Sequence, residues 1–276
     1  MVERTERLLN FSPLPLKLKP ELTLNLTLEL LRLRSKLPNI ETTLPPSQAT
    51  HALTPGLHLD ARHVLWLPEH RTLVAADLHL GYVWAHRQAG QLLPISAPED
   101  TIDRLEALVS EYHPAQLILL GDIVHRALPI PAIRLQLDNL RTRLAATTIR
   151  WIAGNHDRNL EPLLPDILLE TELTLAPHLL IHGDQATSAI LACLDPNAWL
   201  IMGHEHPAIN VHDRVTTSVK CPCFLVAPRI LILPAFSPWS AGSNIRTTQF
   251  LSPLARETQF TAAYAVLANH LLPIPL

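Results

Sequence analysis

From residue 57 onward, hydrophobic positions fall into short blocks separated by polar turns. Two of these blocks, residues 57–59 and 64–67, together with the turn at 68–71, predict a β-hairpin that leads into residues 73–76. Later blocks are continuously apolar, which is typical of strands buried on both faces. These later blocks are residues 117–120, 149–153, 179–181 and 199–202.

Helical periodicity separates several of these strands. Ser96, Pro98 and Glu99 have the spacing of a capping box, so they predict the start of a helix. Its apolar face is Ile102, Leu105, Leu108 and Val109, and a second helix is predicted to begin at Pro131 with Ile133, Leu137, Leu140 and Leu144 on one face. Strand–helix–strand alternation indicates an α/β sheet with crossover helices.

The pattern changes after residue 207, where helical periodicity fades. Short strand-like pieces follow at residues 209–211, 223–226 and 230–233, and they predict a meander that completes a second sheet. Residues 1–50 differ again, with six prolines, seven basic and five acidic residues, and neither glycine nor histidine. This composition favours a disordered N-terminal extension or a start codon assigned too early, with an interaction arm as the alternative. Residues 51–276 then form the catalytic domain.

Composition narrows the class of protein. Hydrophobic residues make up 47% of the chain and charged residues 17%, which is enough apolar mass for a sizeable core. The net charge of −3 argues against clamping of nucleic acid by the whole surface, although a local basic groove stays open. No apolar run approaches the roughly 18 residues of a membrane span, and the three cysteines give no disulfide or metal pattern. We therefore expect a cytoplasmic protein without membrane contact.

Metal-compatible side chains follow five of the predicted core strands. Each group lies in a turn that contains glycine, and these five turns use five of the eight glycines in the chain. The turns are residues 77–81, 121–122, 154–157, 182–184 and 203–206. Because the carboxyl ends of parallel strands form the functional edge of an α/β sheet, we expect these side chains to meet there. Any one of these turns is a weak signal, but five in succession are specific.

The donor types in these turns indicate the kind of metal. Imidazole nitrogens and carboxylate oxygens without a thiolate suit Mn²⁺, Fe or Zn²⁺ rather than a structural zinc site made of cysteines. Seven donors exceed the needs of one ion, whereas two ions that share one carboxylate would use all of them. The donors are Asp77, His79, Asp122, Asn155, His182, His204 and His206. Two ions about 3.5–4 Å apart are a recurring device for hydrolysing phosphate esters.

The same blocks, in the same order, resemble the calcineurin-like metallophosphoesterases. The resemblance implies a four-layer α/β/β/α sandwich with two divalent metal ions, of which Mn²⁺ is favoured. The first metal would be held by Asp77, His79, Asp122 and His206, and the second by Asp122, Asn155, His182 and His204, with Asp122 bridging. His156 would contact the scissile phosphate without binding metal, and Asp157 would orient His156 and fix its tautomer.

A narrower resemblance covers about residues 52–250. The strings DLHLGY, GDIVH, GNHDR, IHGD, GHEHPAI and LPAF are similar to the bacterial ligase-associated metallophosphoesterases, described as DNA-damage-response endonucleases. It implies DNA as substrate and a repair ligase and helicase as partners. The alternatives are a small-molecule phosphodiesterase or phosphatase acting on nucleotides, and a non-catalytic scaffold in a repair complex.

The sequence leaves the surroundings of this site open. His125 would contact the metal ligands without binding metal itself, touch substrate, or simply start a helix. Arg87, Arg126 and Arg158 follow the motifs closely enough to reach a phosphate, but solvent exposure is the simpler interpretation. The five tryptophans are scattered along the chain, so the sequence does not indicate an aromatic stacking surface.

Overall fold

In the described part of the chain, seven strands form the first of two sheets. The computed structural model describes residues 49–91, 93, 100–212, 218–240 and 242–276. The strands lie side by side in sequence order: β1 (Thr50–Thr54), β2 (Leu57–Asp60), β3 (Val64–Leu67), β4 (Thr72–Ala76), β5 (Gln116–Leu120), β6 (Thr148–Ile152) and β7 (Leu169–Glu170). Strands β1 to β4 pair antiparallel, and β4 to β7 pair parallel. The predicted hairpin is confirmed as β2 and β3.

Helices connect the parallel strands of this sheet. They are α1 (Tyr82–Gln88), α2 (Asp100–Tyr112) and α3 (Pro131–Arg143). The predicted apolar faces of α2 and α3 are confirmed, with Ile102, Leu105, Ile133 and Leu137 buried. The proposed capping box of α2 and nearly all of the N-terminal extension lie outside the described residues.

The second sheet is built from the rest of the described chain. Its strands are β8 (Glu172–Leu175), β9 (His178–Ile181), β10 (Leu200–Met202), β11 (Pro207–His212), β12 (Ser218–Ala227), β13 (Ile230–Ile232), β14 (Ser243–Asn244), β15 (Ala262–Leu267) and β16 (His270–Pro275). Strands β11, β12 and β13 follow one another antiparallel as the predicted meander, but β13 then pairs parallel with β10, which is parallel to β9. The terminal hairpin of β15 and β16 was not predicted.

The apolar side chains sort the molecule into four layers. On β4, Leu73 and Ala75 face a cluster shared with α2 and α3, whereas Val74 and Ala76 face the second sheet, as the period of two in a strand requires. The cluster between the sheets joins residues such as Ile118 to Phe224, Leu231 and other side chains of the second sheet.

A third cluster covers the outer face of the second sheet. There the short helices α4 (Ala189–Cys193) and α5 (Pro253–Glu257) pack on β9, β10 and β12. The predicted α/β/β/α sandwich is therefore confirmed, with a much thinner helical layer on this side than on the first sheet. None of the helices in the described ranges is long and apolar enough to cross a membrane.

Candidate metal centre

The predicted metal ligands leave the carboxyl ends of strands in both sheets. Asp77 and His79 follow β4, Asp122 follows β5, and Asn155 follows β6 in the first sheet. The second sheet contributes His182 after β9, and His204 and His206 after β10. Backbone hydrogen bonds hold neighbouring turns together: Asp77 N donates to Gly121 O, His79 N to Asp122 O, and Gly203 N to His182 O, over 2.9–3.2 Å. The site therefore spans the junction of the two sheets.

Most of these ligand positions have left-handed backbone. The φ angles are 54° at Asp77, 47° at His79, 44° at Asp122, 69° at His204 and 43° at His206. Side chains rarely adopt this region, and each such residue costs on the order of 1–3 kcal/mol unless its surroundings compensate. The turns are therefore held in a geometry that local preference disfavours, and that geometry points the side chains at a common centre.

Glycine is required where these turns approach one another. A Cβ atom at Gly121, which also has a φ of 75°, would overlap the imidazole ring of His182. A Cβ atom at Gly154 would overlap the carboxylate and the backbone nitrogen of Asp122. Two turns of the first sheet and one of the second can thus pack this closely only because both positions lack a side chain.

One group of donors matches the predicted first metal site. Single ligand atoms of Asp77, His79, Asp122 and His206 all lie within 4.8 Å of one another. The Nε2 atoms of His79 and His206 are 3.2 Å apart, and His206 Nε2 is 3.5 Å from Asp77 Oδ1.

A second group matches the predicted second site and shares Asp122 with the first. Asp122, His182 and His204 lie within 4.8 Å of one another. The Nε2 atom of His182 lies 3.2 Å from His204 Nδ1, 3.1 Å from Asn155 Oδ1 and 3.4 Å from Asp122 Oδ1. Because the other oxygen of this carboxylate, Oδ2, faces His79 at 4.0 Å, Asp122 is placed as a bridge between the groups.

The electrostatics of the two groups fit cations. Asp77 and Asp122 are almost completely buried. Burial raises the pKa of Asp122 to about 8, and the nearby charge of Asp77 adds to this shift. Burial lowers the pKa of His79 to about 3 and that of His182 to about 4, so both imidazoles are neutral and keep a lone pair to donate. Closely spaced carboxylates among neutral imidazoles are the environment that divalent cations stabilise, and this donor set suits two of them.

Ser240 contacts one of the predicted ligands, and the sequence does not reveal it. Its Oγ lies 2.6 Å from Nδ1 of His206. If Nδ1 carries the proton and donates it to the hydroxyl, Nε2 is left free to face Asp77 and His79. A histidine that binds metal usually donates its other ring N–H to a neighbouring acceptor in this way. Ser240 lies 34 residues after His206, and no local motif marks it.

Glu205, between the two histidine ligands, was also missed. It is buried, and its carboxylate accepts hydrogen bonds from the backbone N–H groups of Leu251 and Ser252 at 2.9 and 2.6 Å. It therefore fixes the turn that carries His204 and His206 to the start of α5.

Asp157 has a different role from the one expected. Its Oδ2 accepts from Gly154 N and Ile123 N, and its Oδ1 from Val124 N, over 2.8–3.1 Å. It does not orient His156, whose Nδ1–H instead donates to the carbonyl oxygen of His125 at 2.6 Å. The carboxylate of Asp157 accepts these three hydrogen bonds from backbone on either side of the site. Asp157 therefore positions the turn that carries Asp122.

His156 itself stands at the rim of the centre. Its side chain is 34% exposed, and its Nε2 points inward, 3.9 Å from Asp122 Oδ2. His79, His125 and His156 also form a third close group of imidazoles.

The three arginines that follow the motifs, Arg87, Arg126 and Arg158, are exposed. The guanidinium of Arg87 lies 5.3 Å over the ring of Trp84. The roles of the predicted ligands and of His156 stay predictions.

The two-sheet α/β architecture is consistent with the metallophosphoesterase sandwich fold, and comparison with known proteins agrees. Residues 70–178 match the family described as Calcineurin-like phosphoesterase. The match includes Asp77, His79, Asp122 and Asn155. The histidines contributed by the second sheet lie beyond it. No curated protein matches the chain significantly.

Among solved structures, the chain is similar to the nuclease MPE of Pseudomonas putida. The identity is 25%, the match covers 83% of this chain and 100% of that one, and the TM-score is 0.61. A phosphoesterase of E. coli, Yfce, matches at 17% identity over 71% of this chain and 99% of that one, but its TM-score of 0.37 is too low to carry an argument. The match supports the family prediction for residues 70–178, and the ligase-associated subfamily stays a prediction.

Proposed function

We propose that this protein is a dinuclear-metal nuclease that hydrolyses phosphodiester bonds of DNA. The observation that carries the proposal is the position of Asp122, whose two carboxylate oxygens face two different groups of donors. Such a shared carboxylate is what two neighbouring ions require.

Each group would hold one divalent cation. Asp77, His79, Asp122 and His206 would hold the first, and Asp122, Asn155, His182 and His204 the second. When bound, such a pair neutralises charge on the phosphoryl oxygens and lowers the pKa of water. Mn²⁺ is our first choice of metal, with Fe and Zn²⁺ as alternatives, because the donors are nitrogen and oxygen only.

The part assigned to His156 is to contact the scissile phosphate from the rim. Because its Nδ1–H is committed to the carbonyl of His125, its Nε2 is the atom directed at the centre. In its protonated form, Nε2 can donate a proton to the leaving oxygen of the ester.

Nucleic acid is favoured over small esters by the likeness to a nuclease. That likeness covers the whole of the other chain at 25% identity, and its TM-score of 0.61 indicates a common fold. A phosphodiesterase acting on nucleotides is the alternative with the same chemistry. A role in DNA repair beside a ligase and a helicase rests on the resemblance of the motifs alone, and a location in the cytoplasm rests on the composition of the sequence. Both are part of the proposal.

The first experiment tests the bridge. Protein loaded with Mn²⁺ should hydrolyse bis-p-nitrophenyl phosphate, and Asp122→Asn should abolish turnover and lower the bound metal measured by mass spectrometry. Asp166→Asn, at an exposed aspartate, is the matched control and should behave like the wild type. Wild-type turnover in Asp122→Asn would refute the dinuclear mechanism.

The second experiment tests the substrate. Single-stranded, nicked and duplex DNA are incubated beside cyclic and linear nucleotides with the Mn²⁺-loaded protein. Cleavage of DNA supports the nuclease, whereas efficient turnover of nucleotides with intact DNA would overturn it. No hydrolysis of any phosphoester would favour the scaffold.

A further inference from the structure

Aromatic side chains converge beside the metal centre, although the sequence scatters them. Tyr82 and His86 lie on α1, His125 follows the Asp122 turn, and Trp239 comes from the segment after β13. We refer to these four residues as the aromatic wall. The sequence does not indicate this grouping because Tyr82 and Trp239, which meet in the fold, lie 157 positions apart along the chain.

The rings of the wall make successive contacts. Those of Tyr82 and Trp239 are nearly parallel, with an interplanar angle of 6° and centroids 5.9 Å apart. Tyr82 contacts His125 at 4.5 Å and His86 at 4.3 Å, measured between centroids. All four side chains of the wall are partly exposed. A planar ligand can therefore reach them from solvent.

The aromatic wall lies directly beside the candidate metal centre. The centroid of His125 is 5.4 Å from that of His156 and 5.5 Å from that of His79. In a nucleotide, one sugar separates the base from its phosphate. That separation is comparable to the distance between the centroid of His125 and those of His79 and His156. A phosphate held at the metal centre would thus bring its own base to the wall.

We propose that the aromatic wall is a subsite for the nucleobase next to the scissile phosphate. The inference rests on the proposed function, since it assumes that the phosphate of a nucleic acid occupies the metal centre. It adds that the enzyme recognises a base and not only a phosphodiester. Stacking of a base on aromatic side chains is tolerant of sequence, so the subsite favours unpaired nucleotides over paired ones without selecting a particular base.

The test compares two ligands that differ only in the base. Binding of deoxyadenosine 5′-monophosphate and of 2-deoxyribose 5-phosphate to Mn²⁺-loaded protein is measured by calorimetry. Stacking on aromatic side chains is worth about 1–3 kcal/mol per base, so the nucleotide should bind roughly 5- to 150-fold more tightly than the sugar phosphate. Tyr82→Leu and Trp239→Leu should each reduce this ratio, and Tyr82→Phe should retain it.

Tyr264→Leu provides the control, since this partly buried tyrosine lies on β15 and contacts His51 instead of the wall. It should leave the ratio unchanged, and bound metal should be the same in all variants. Equal affinity of the wild type for the two ligands, or an unchanged ratio in both Tyr82→Leu and Trp239→Leu, would overturn the subsite. A base-dependent ratio in a protein that hydrolyses no phosphodiester would instead keep the subsite and refute the proposed function.

Discussion

Replacement of Ser240 by alanine tests how much one hydrogen bond to a predicted metal ligand, His206, contributes to metal binding. The substitution removes a single oxygen atom, the one 2.6 Å from Nδ1 of His206, and leaves every predicted ligand in place. Only 20% of the His206 side chain is exposed, so water can replace the lost hydroxyl only in part. We expect the ring to lose its fixed orientation and tautomer.

The size of the effect follows from that burial. A buried polar group left without its partner costs about 1–3 kcal/mol, which corresponds to a roughly 5- to 150-fold weaker affinity. Loss of outer-shell partners in metal sites typically weakens binding by about 10- to 100-fold, so the two estimates agree. Only the first group contains His206, so the second group should bind its ion almost as in the wild type.

Titration of metal-free protein with Mn²⁺, followed by calorimetry, checks this expectation. The wild type should bind two ions, and Ser240→Ala should show one weakened and one nearly unchanged step. Ser240→Thr keeps the hydroxyl and should restore most of the affinity. Ser188→Ala, at an exposed serine without a side-chain capping bond, is the control. Two unchanged steps in Ser240→Ala would refute the role of this hydrogen bond, and equal weakening of both would refute its restriction to one group.

Two further predictions concern stability. Gly154→Ala places a methyl group against the Asp122 carboxylate and backbone, so the free energy of unfolding measured in urea should fall by about 1–3 kcal/mol or more. Burial lowers the pKa of His63 to about 4 from 6.5, so the unfolded chain binds more protons between these pH values. The stability contributed by neutral His63 is therefore present above pH 6.5 and lost as the pH falls towards 4, by about 1.4 kcal/mol per pH unit. His63→Gln should flatten this dependence in chelator-treated protein.

Matched variants separate these effects from general damage. Gly56→Ala adds the same methyl group where no atom lies within 4 Å, and it should change the free energy of unfolding by no more than about 0.5 kcal/mol. His270→Gln removes an exposed histidine and should leave the pH dependence as in the wild type. Equal destabilisation by the two glycine variants, or an unchanged pH slope in His63→Gln, would contradict the reasoning.

The candidate donors can be found from the sequence because each of them lies within four residues of the end of a core strand. The apolar blocks locate the strands, the glycines mark the turns, and parallel pairing brings Asp77, Asp122 and Asn155 to one edge. Local patterns could not reveal Ser240 or the aromatic wall, because Ser240 lies 34 residues from His206 and Trp239 lies 157 residues from Tyr82. Asp157 was misassigned for a related reason. Its neighbour in sequence is His156, but its carboxylate is turned towards the backbone of another turn.

The division of the ligands between two sheets has a consequence for the lifetime of the protein. Asp77 and Asp122 extend from the first sheet and His182, His204 and His206 from the second, so an ion held by both sheets binds the native state far better than the unfolded chain. At a free metal concentration 100 times the Kd, one such ion adds about 2.7 kcal/mol to the free energy of unfolding. With two ions bound at the predicted ligands, metal supply would govern resistance to proteolysis as well as the proposed catalysis, and metal starvation would shorten the survival of the protein along with that activity.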